Sequence, residues 1–194
     1  MPLGANKAAI MGVAGVSTAD AVLLHTSTIT SATTAVSITS GLTSTYNTYV
    51  FTGYNVHGSA SSDAQFQVST DGGSNYNTTV TMALHYMANS AAGSAEGPAQ
   101  SGASINSGTG FAGIASSFDN AAADNNVTFE VHLYNPASTT YMKTFHTIGN
   151  CGGASTNYYP SAGYFNTTSA VNAIQFSMTS GNIDSCIIKM WGIK

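Results

Sequence analysis

The sequence predicts an all-β fold: an antiparallel β-sandwich, jelly-roll-like, with an extended N-terminal arm. Three observations predict it. Short runs alternate apolar and polar residues with a period of two. Turn residues separate these runs at fairly regular spacing, as in sandwiches and barrels. The chain is 43% hydrophobic, with ten tyrosines and eight phenylalanines, so it carries the apolar mass for a packed interior that disordered chains lack.

The strand reading is clearest over residues 126 to 134. Val127, Phe129, Val131 and Leu133 fall on one face, and Thr128, Glu130, His132 and Tyr134 on the other. Ala64, Phe66 and Val68 against Asp63, Gln65 and Gln67 repeat the pattern, as do Ile174, Phe176 and Met178 against Gln175 and Ser177. Residues 48–56, 78–87 and 139–148 read as further strands, with Tyr and Phe at strand-favouring positions. Two tight hairpins are expected. One turns at Asp71-Gly72-Gly73, where glycine accepts positive φ. The other turns after Asn135-Pro136, since proline cannot donate to a ladder. Residues 89–110, almost wholly Ala, Gly, Ser and Asn, read as a long loop, and residues 149–163 have a similar composition.

A chain of 194 residues fits one sizeable domain, large enough to form a core without disulfides or metal. Residues 1–16 read as an arm and residues 17–194 as a single body. The arm is small and apolar, interrupted by Gly4, Gly12 and Gly15, and its candidate assembly contacts are Leu3, Ile10, Met11 and Val13. It has no basic region followed by a long apolar core, so it does not read as a secretory signal.

Charge narrows the function. Only 6% of residues are charged, the net charge is −4, and the four cationic residues are all lysines: Lys7, Lys143, Lys189 and Lys194. Nucleic-acid binding needs Lys and Arg to neutralise phosphates, so it is excluded as an expectation. No window approaches the roughly 20 apolar residues of a spanning helix, so membrane insertion is not expected either. A surface so short of charge suits a protein whose exterior meets other subunits.

Residue types that carry chemistry are present without the arrangements chemistry needs. His25, His57, His85, His132 and His146 show no helical i,i+4 pair and no His-Glu-x-x-His. His132 and His146 flank one expected hairpin and are placed to face each other across it. Asp63, Asp71, Asp119 and Asp124 do not form an Asp-x-Asp-x-Asp calcium loop. No Gly-x-Ser-x-Gly elbow occurs, and only Asp63 and Glu130 among the carboxylates lie inside strong strands. Cys151 and Cys186 lie outside any C-x-x-C and read as buried free thiols in preference to a disulfide. No enzyme activity, cofactor or metal is therefore expected. Tyrosines are the better lead, because a large apolar ring with a polar tip suits glycans and subunit interfaces alike. Tyr158, Tyr159 and Tyr164 are the candidate glycan or receptor contacts.

Two stretches carry a resemblance. The segment Phe66-Gln-Val-Ser-Thr-Asp-Gly-Gly-Ser-Asn-Tyr76 resembles a hairpin of virion proteins from aquatic bacteriophages. The run from Asn172 to Ile183, followed by Ile187-Ile-Lys-Met-Trp-Gly-Ile-Lys194, looks like their closing strand pair, and residues 126–140 are similar to a middle hairpin. Such proteins are tail-fibre heads, tailspike heads or capsid-decorating β-sandwiches, often homotrimers. The resemblance, over roughly residues 45–194, implies a non-enzymatic virion protein, assembled in the host cytoplasm and exposed on the particle. It implies a homo-oligomer, a trimer before other symmetries, that contacts major capsid or tail proteins. The other reading is a carbohydrate- or host-receptor-binding module. This chain has no heptads or repeats for a fibre shaft, which favours a compact appendage or decoration.

Overall fold

In the computed structural model the structure describes residues 21–90, 95–100, 104–118, 124–152 and 155–194. The arm, with Leu3, Ile10, Met11 and Val13, lies outside the described residues. Thirteen strands run in chain order: β1 (Ala21–Ile29), β2 (Ala35–Ile38), β3 (Thr48–Gly58), β4 (Ser62–Ser69), β5 (Val80–Ser90), β6 (Ala95–Gln100) and β7 (Ile105–Gly108). Then follow β8 (Ala112–Phe118), β9 (Asn126–Tyr134), β10 (Lys143–Gly152), β11 (Ser155–Phe165), β12 (Ala173–Met178) and β13 (Ile183–Ile193).

They form two antiparallel sheets, the all-β sandwich that the sequence predicts. The larger sheet has the order β1-β13-β3-β9-β10-β11-β5-β6, with β7 also paired to β5; the smaller is β2-β12-β4-β8. From β1 to β5 the chain changes sheet at every connection, which is the jelly-roll-like feature. The strands β9, β10 and β11 depart from it as a consecutive meander.

Alternation explains the core. In β9 the four apolar residues assigned to one face are all buried, and Thr128 and Glu130 are exposed. The sheets meet through six of the eight phenylalanines. Phe66 of β4 packs edge-on against Phe145 and Phe165 of the large sheet, with centroids 5.1 and 5.8 Å apart. Phe176 of β12 stacks on Phe129 at 5.4 Å and meets Phe51 at 5.7 Å. Such pairs add to the area burial of each ring.

Several expectations change. The turn at Asp71 is not a hairpin: β4 pairs with β12 and β8, while β5 belongs to the other sheet. The residues between them make a compact crossover, with Gly72 and Gly73 at φ 75° and 90° as the sequence suggested. Likewise β12 and β13 are not a closing pair but lie in opposite sheets. The hairpin after Asn135-Pro136 is real, but its second strand starts at Lys143 rather than Thr139. Residues 89–110, expected as a loop, include β6 and β7, and residues 149–163 include the β10–β11 hairpin. Composition misled there because small residues also serve where strands pass close to other backbone.

Two polar arrangements hold connections in place. Gln67 is fully buried on the outward side of β4, and its amide donates to the carbonyls of Thr78 (3.0 Å) and Gly110 (2.8 Å), clamping two loops. Lys143 is also buried, and its ammonium donates to the carbonyls of Tyr141 (2.7 Å) and Thr167 (3.2 Å). Burial pushes its pKa down.

The crossover itself is organised by Asp71. Its carboxylate accepts hydrogen bonds from the Ser69 hydroxyl (2.6 Å), the Asn75 side-chain amide (2.7 Å) and the Asn75 backbone N–H (2.9 Å). These bonds, Ser69 first, favour the charged form and pull the pKa from 3.8 to about 2. A carboxylate with a depressed folded pKa stabilises the fold above its unfolded value and loses that contribution as pH falls through the folded one. Urea melts of wild type are therefore expected to lose a component between pH 3.8 and about 2 that Asp71→Asn does not show. Parallel acid limbs in the two proteins would refute this.

Candidate contact face

The two sheets are the only layers among the described residues, so the outward face of the large sheet is open. Register sets what it displays. Leu23, Trp191, Val50, His132, His146, Ala162 and Ala83 lie directly opposite one another across seven successive strands, from β1 to β5. The next row holds Lys189, Thr52, Glu130, Ile148 and Pro160. On the other side lie Ile193, Thr48, Tyr134 with, nearby, Thr144, Tyr164 and Thr81.

His132 and His146 do face each other, as the hairpin reading expected. Their rings stack with centroids 4.3 Å apart and planes 15° from parallel. His132 Nε2 lies 3.3 Å from the Glu130 carboxylate, and His146 Nδ1 shares a 2.9 Å hydrogen bond with the Tyr134 hydroxyl. Glu130 and Tyr134 are the outward neighbours of His132 along β9, so one strand supplies both outer partners. Burial first, and then the adjacent His132, hold the His146 pKa below its usual value; Glu130 opposes them. The result is a flat polar-aromatic centre in which double protonation would oppose like charges.

The three candidate tyrosines divide. Tyr158 is exposed on the outward face, opposite Asn150 of β10 and Met87 of β5. Tyr164 is half-buried on the same face, three rows away. Tyr159 points the other way: it is buried, and its hydroxyl donates to the Ser116 carbonyl of the smaller sheet. Burial raises its pKa. Consecutive strand residues must face opposite ways, so Tyr158 and Tyr159 cannot form one contact cluster. Two exposed apolar residues that sequence reasoning missed, Met87 and Ile148, flank Tyr158. The alternation Thr144, His146, Ile148, Asn150 would have revealed Ile148 had the strand been extended through Gly149.

Both cysteines are buried free thiols. They sit in β10 and β13, with β9 and β3 between them. At roughly 4.8 Å per strand their backbones are about 14 Å apart, twice the reach of a disulfide. Burial raises both thiol pKa values, that of Cys186 to about 11. Among the described residues, no group of three or more His, Cys, Asp or Glu is placed to hold a metal ion. No helix there is long and apolar enough to cross a membrane.

No protein-family model matches the chain, and no curated protein matches its sequence. Among solved structures, infectious bursal disease virus supplies three similar chains. The VP2 subviral particle aligns over 90% of this chain and 41% of its own, at 8% identity and a TM-score of 0.15. The Gt strain structure aligns over 89% and 36%, at 7% identity and 0.14. The Gx strain structure aligns over 89% and 34%, at 8% identity and 0.14. This chain thus spans about a third to two-fifths of the chains it matches. Scores this low carry no argument about its fold or its role.

Proposed function

We propose that this chain is a phage virion structural protein, a homo-oligomeric capsid-decorating or tail-appendage subunit attached through its N-terminal arm. The observation that carries the reading is the outward face of the large sheet. From β13 to β5 it carries only three ionisable acid or lysine side chains among the described residues: Lys189 and Glu130 in its central rows, and Asp184 beside His57 at the end of β13. Trp191, Val50, Ile148, Tyr158 and Met87 share that face. Depletion of charge with enrichment of aromatic residues and Met marks the core of protein interfaces. The likeness of residues 66–76 and 126–140 to bacteriophage virion proteins supports the same reading. Light scattering on the full chain and on a form lacking residues 2–16 tests it. The full chain is expected to form a homo-oligomer, and the truncated form to stay folded but fail to join particles. Normal incorporation without the arm would overturn the attachment role.

A specific observation favours a carbohydrate- or host-receptor-binding module as the second reading. Tyr158 presents an exposed ring beside the amide of Asn150, a pairing of flat apolar surface and hydrogen-bonding group that suits a sugar. On this reading Tyr158→Ala abolishes glycan-array binding and Tyr159→Phe preserves it. An array without signal for the wild-type protein would reject it.

A further inference from the structure

We infer that β1 is a pairing edge, joining the β1 of a second copy antiparallel about a two-fold axis. The inference rests on the homo-oligomer reading above and names the surface. An edge strand exposes a row of backbone donors and acceptors, and monomeric proteins protect such edges with short strands, charges, proline or bulges. Three edges of this sandwich show these devices. At the far end of the large sheet, β6 carries Glu96, Gly97 and Pro98 within six residues. In the small sheet, β2 has only four residues, and β8 has two register irregularities against its neighbour.

The β1 edge differs from all three. It runs for nine residues, Ala-Val-Leu-Leu-His-Thr-Ser-Thr-Ile, with no charge, proline or glycine and one irregularity, between Leu23 and His25. Among the described residues it pairs on one side only, with β13, and Leu23 is 45% exposed. The guarded state of the other edges leaves β1 of a second copy as its matching partner. The sequence is compatible with itself. Ala21 and Leu23 face outward opposite Ile193 and Trp191, and beyond the irregularity Thr26 and Thr28 do so opposite Lys189 and Ile187. A two-fold register setting Ala21 against Thr28 and Leu23 against Thr26 keeps outward residues together and opposes no like charges. Such an interface is isologous and closes at two chains, leaving the open sheet faces free for other virion contacts.

The test is the solution mass of the full chain against Leu23→Lys/Thr28→Lys, two exposed positions where a charge leaves the core untouched. Wild type is expected at twice the 19.8 kDa chain mass or an even multiple. The double variant is expected to halve its particle mass while keeping the far-UV circular dichroism of the wild-type sheets. Hydrogen exchange on wild type gives a second readout, with β1 amides more protected at high concentration than on dilution. An unchanged mass in the double variant overturns the inference, including the case in which the arm of the same chain covers β1. A monomeric wild type, a strict trimer, or concentration-independent exchange at β1 overturns it as well. A wild-type dimer that never enters particles would instead overturn the virion reading and leave the β1 pairing standing.

Discussion

Replacing Phe66 by alanine is expected to cost about 3–5 kcal/mol, a large part of the roughly 5–15 kcal/mol that holds a domain of this kind together. Phe66, in the small sheet, is fully buried. It meets Phe145 and Phe165 edge-on, and Phe176 in a stacked arrangement at 6.3 Å. Truncation removes the transfer free energy of the ring and leaves a cavity between two sheets that cannot collapse, because each is tied by its own ladder. Phe66→Leu should lose less, since most of the volume stays filled. Urea or guanidinium unfolding measures both. A loss below about 1 kcal/mol for the alanine variant would mean that the sheets do not meet through this ring.

Adding one carbon at Gly149 is expected to destabilise the fold by roughly 1–3 kcal/mol or somewhat more, although alanine is usually a mild change in a strand. Gly149 lies in β10, between Phe129 of β9 and Tyr159 of β11, with its missing side chain directed at the small sheet. A Cβ there would run into the carbonyl oxygen of Ile114 in β8 and sit 3.3 Å from the Cβ of Ala115. The obstruction is backbone, so no rotamer change relieves it and the sheets must move apart. Gly152, three residues on in the same strand, has nothing within 4 Å of an added Cβ and serves as the control. Gly149→Ala should lower the unfolding midpoint and Gly152→Ala should leave it near wild type. Equal behaviour of the two would show that β8 does not approach β10 at this point.

These two positions also show what was legible. Phe66 could be read from the alternation Ala64, Phe66, Val68, because a period of two is written locally in any half-buried strand. Gly149 could not. In sequence it sits in a Gly-, Ser- and Asn-rich stretch that resembles a loop, and only the close approach of β8 explains a glycine there. The same reasoning covers the candidate face. That His132 and His146 meet was legible, since one hairpin joins them and sets their register. That Tyr158 faces outward and Tyr159 inward required knowing that residues 155–165 form a strand.

By itself the sequence determined the all-β class, the inward and outward faces of the strongest strands, and the poverty of charge. Those properties are local or additive, so residues and their spacing suffice to state them. Which strands become neighbours was decided only by the tertiary structure. Thus β4 pairs with β12, more than 100 residues away, rather than turning back on β5. The physical reason is that many strands here offer interchangeable Val, Ile, Phe and Ala faces, and backbone ladders are indifferent to sequence. Partner choice therefore rests on how the strands of both sheets share one core, a long-range packing condition that no local pattern records.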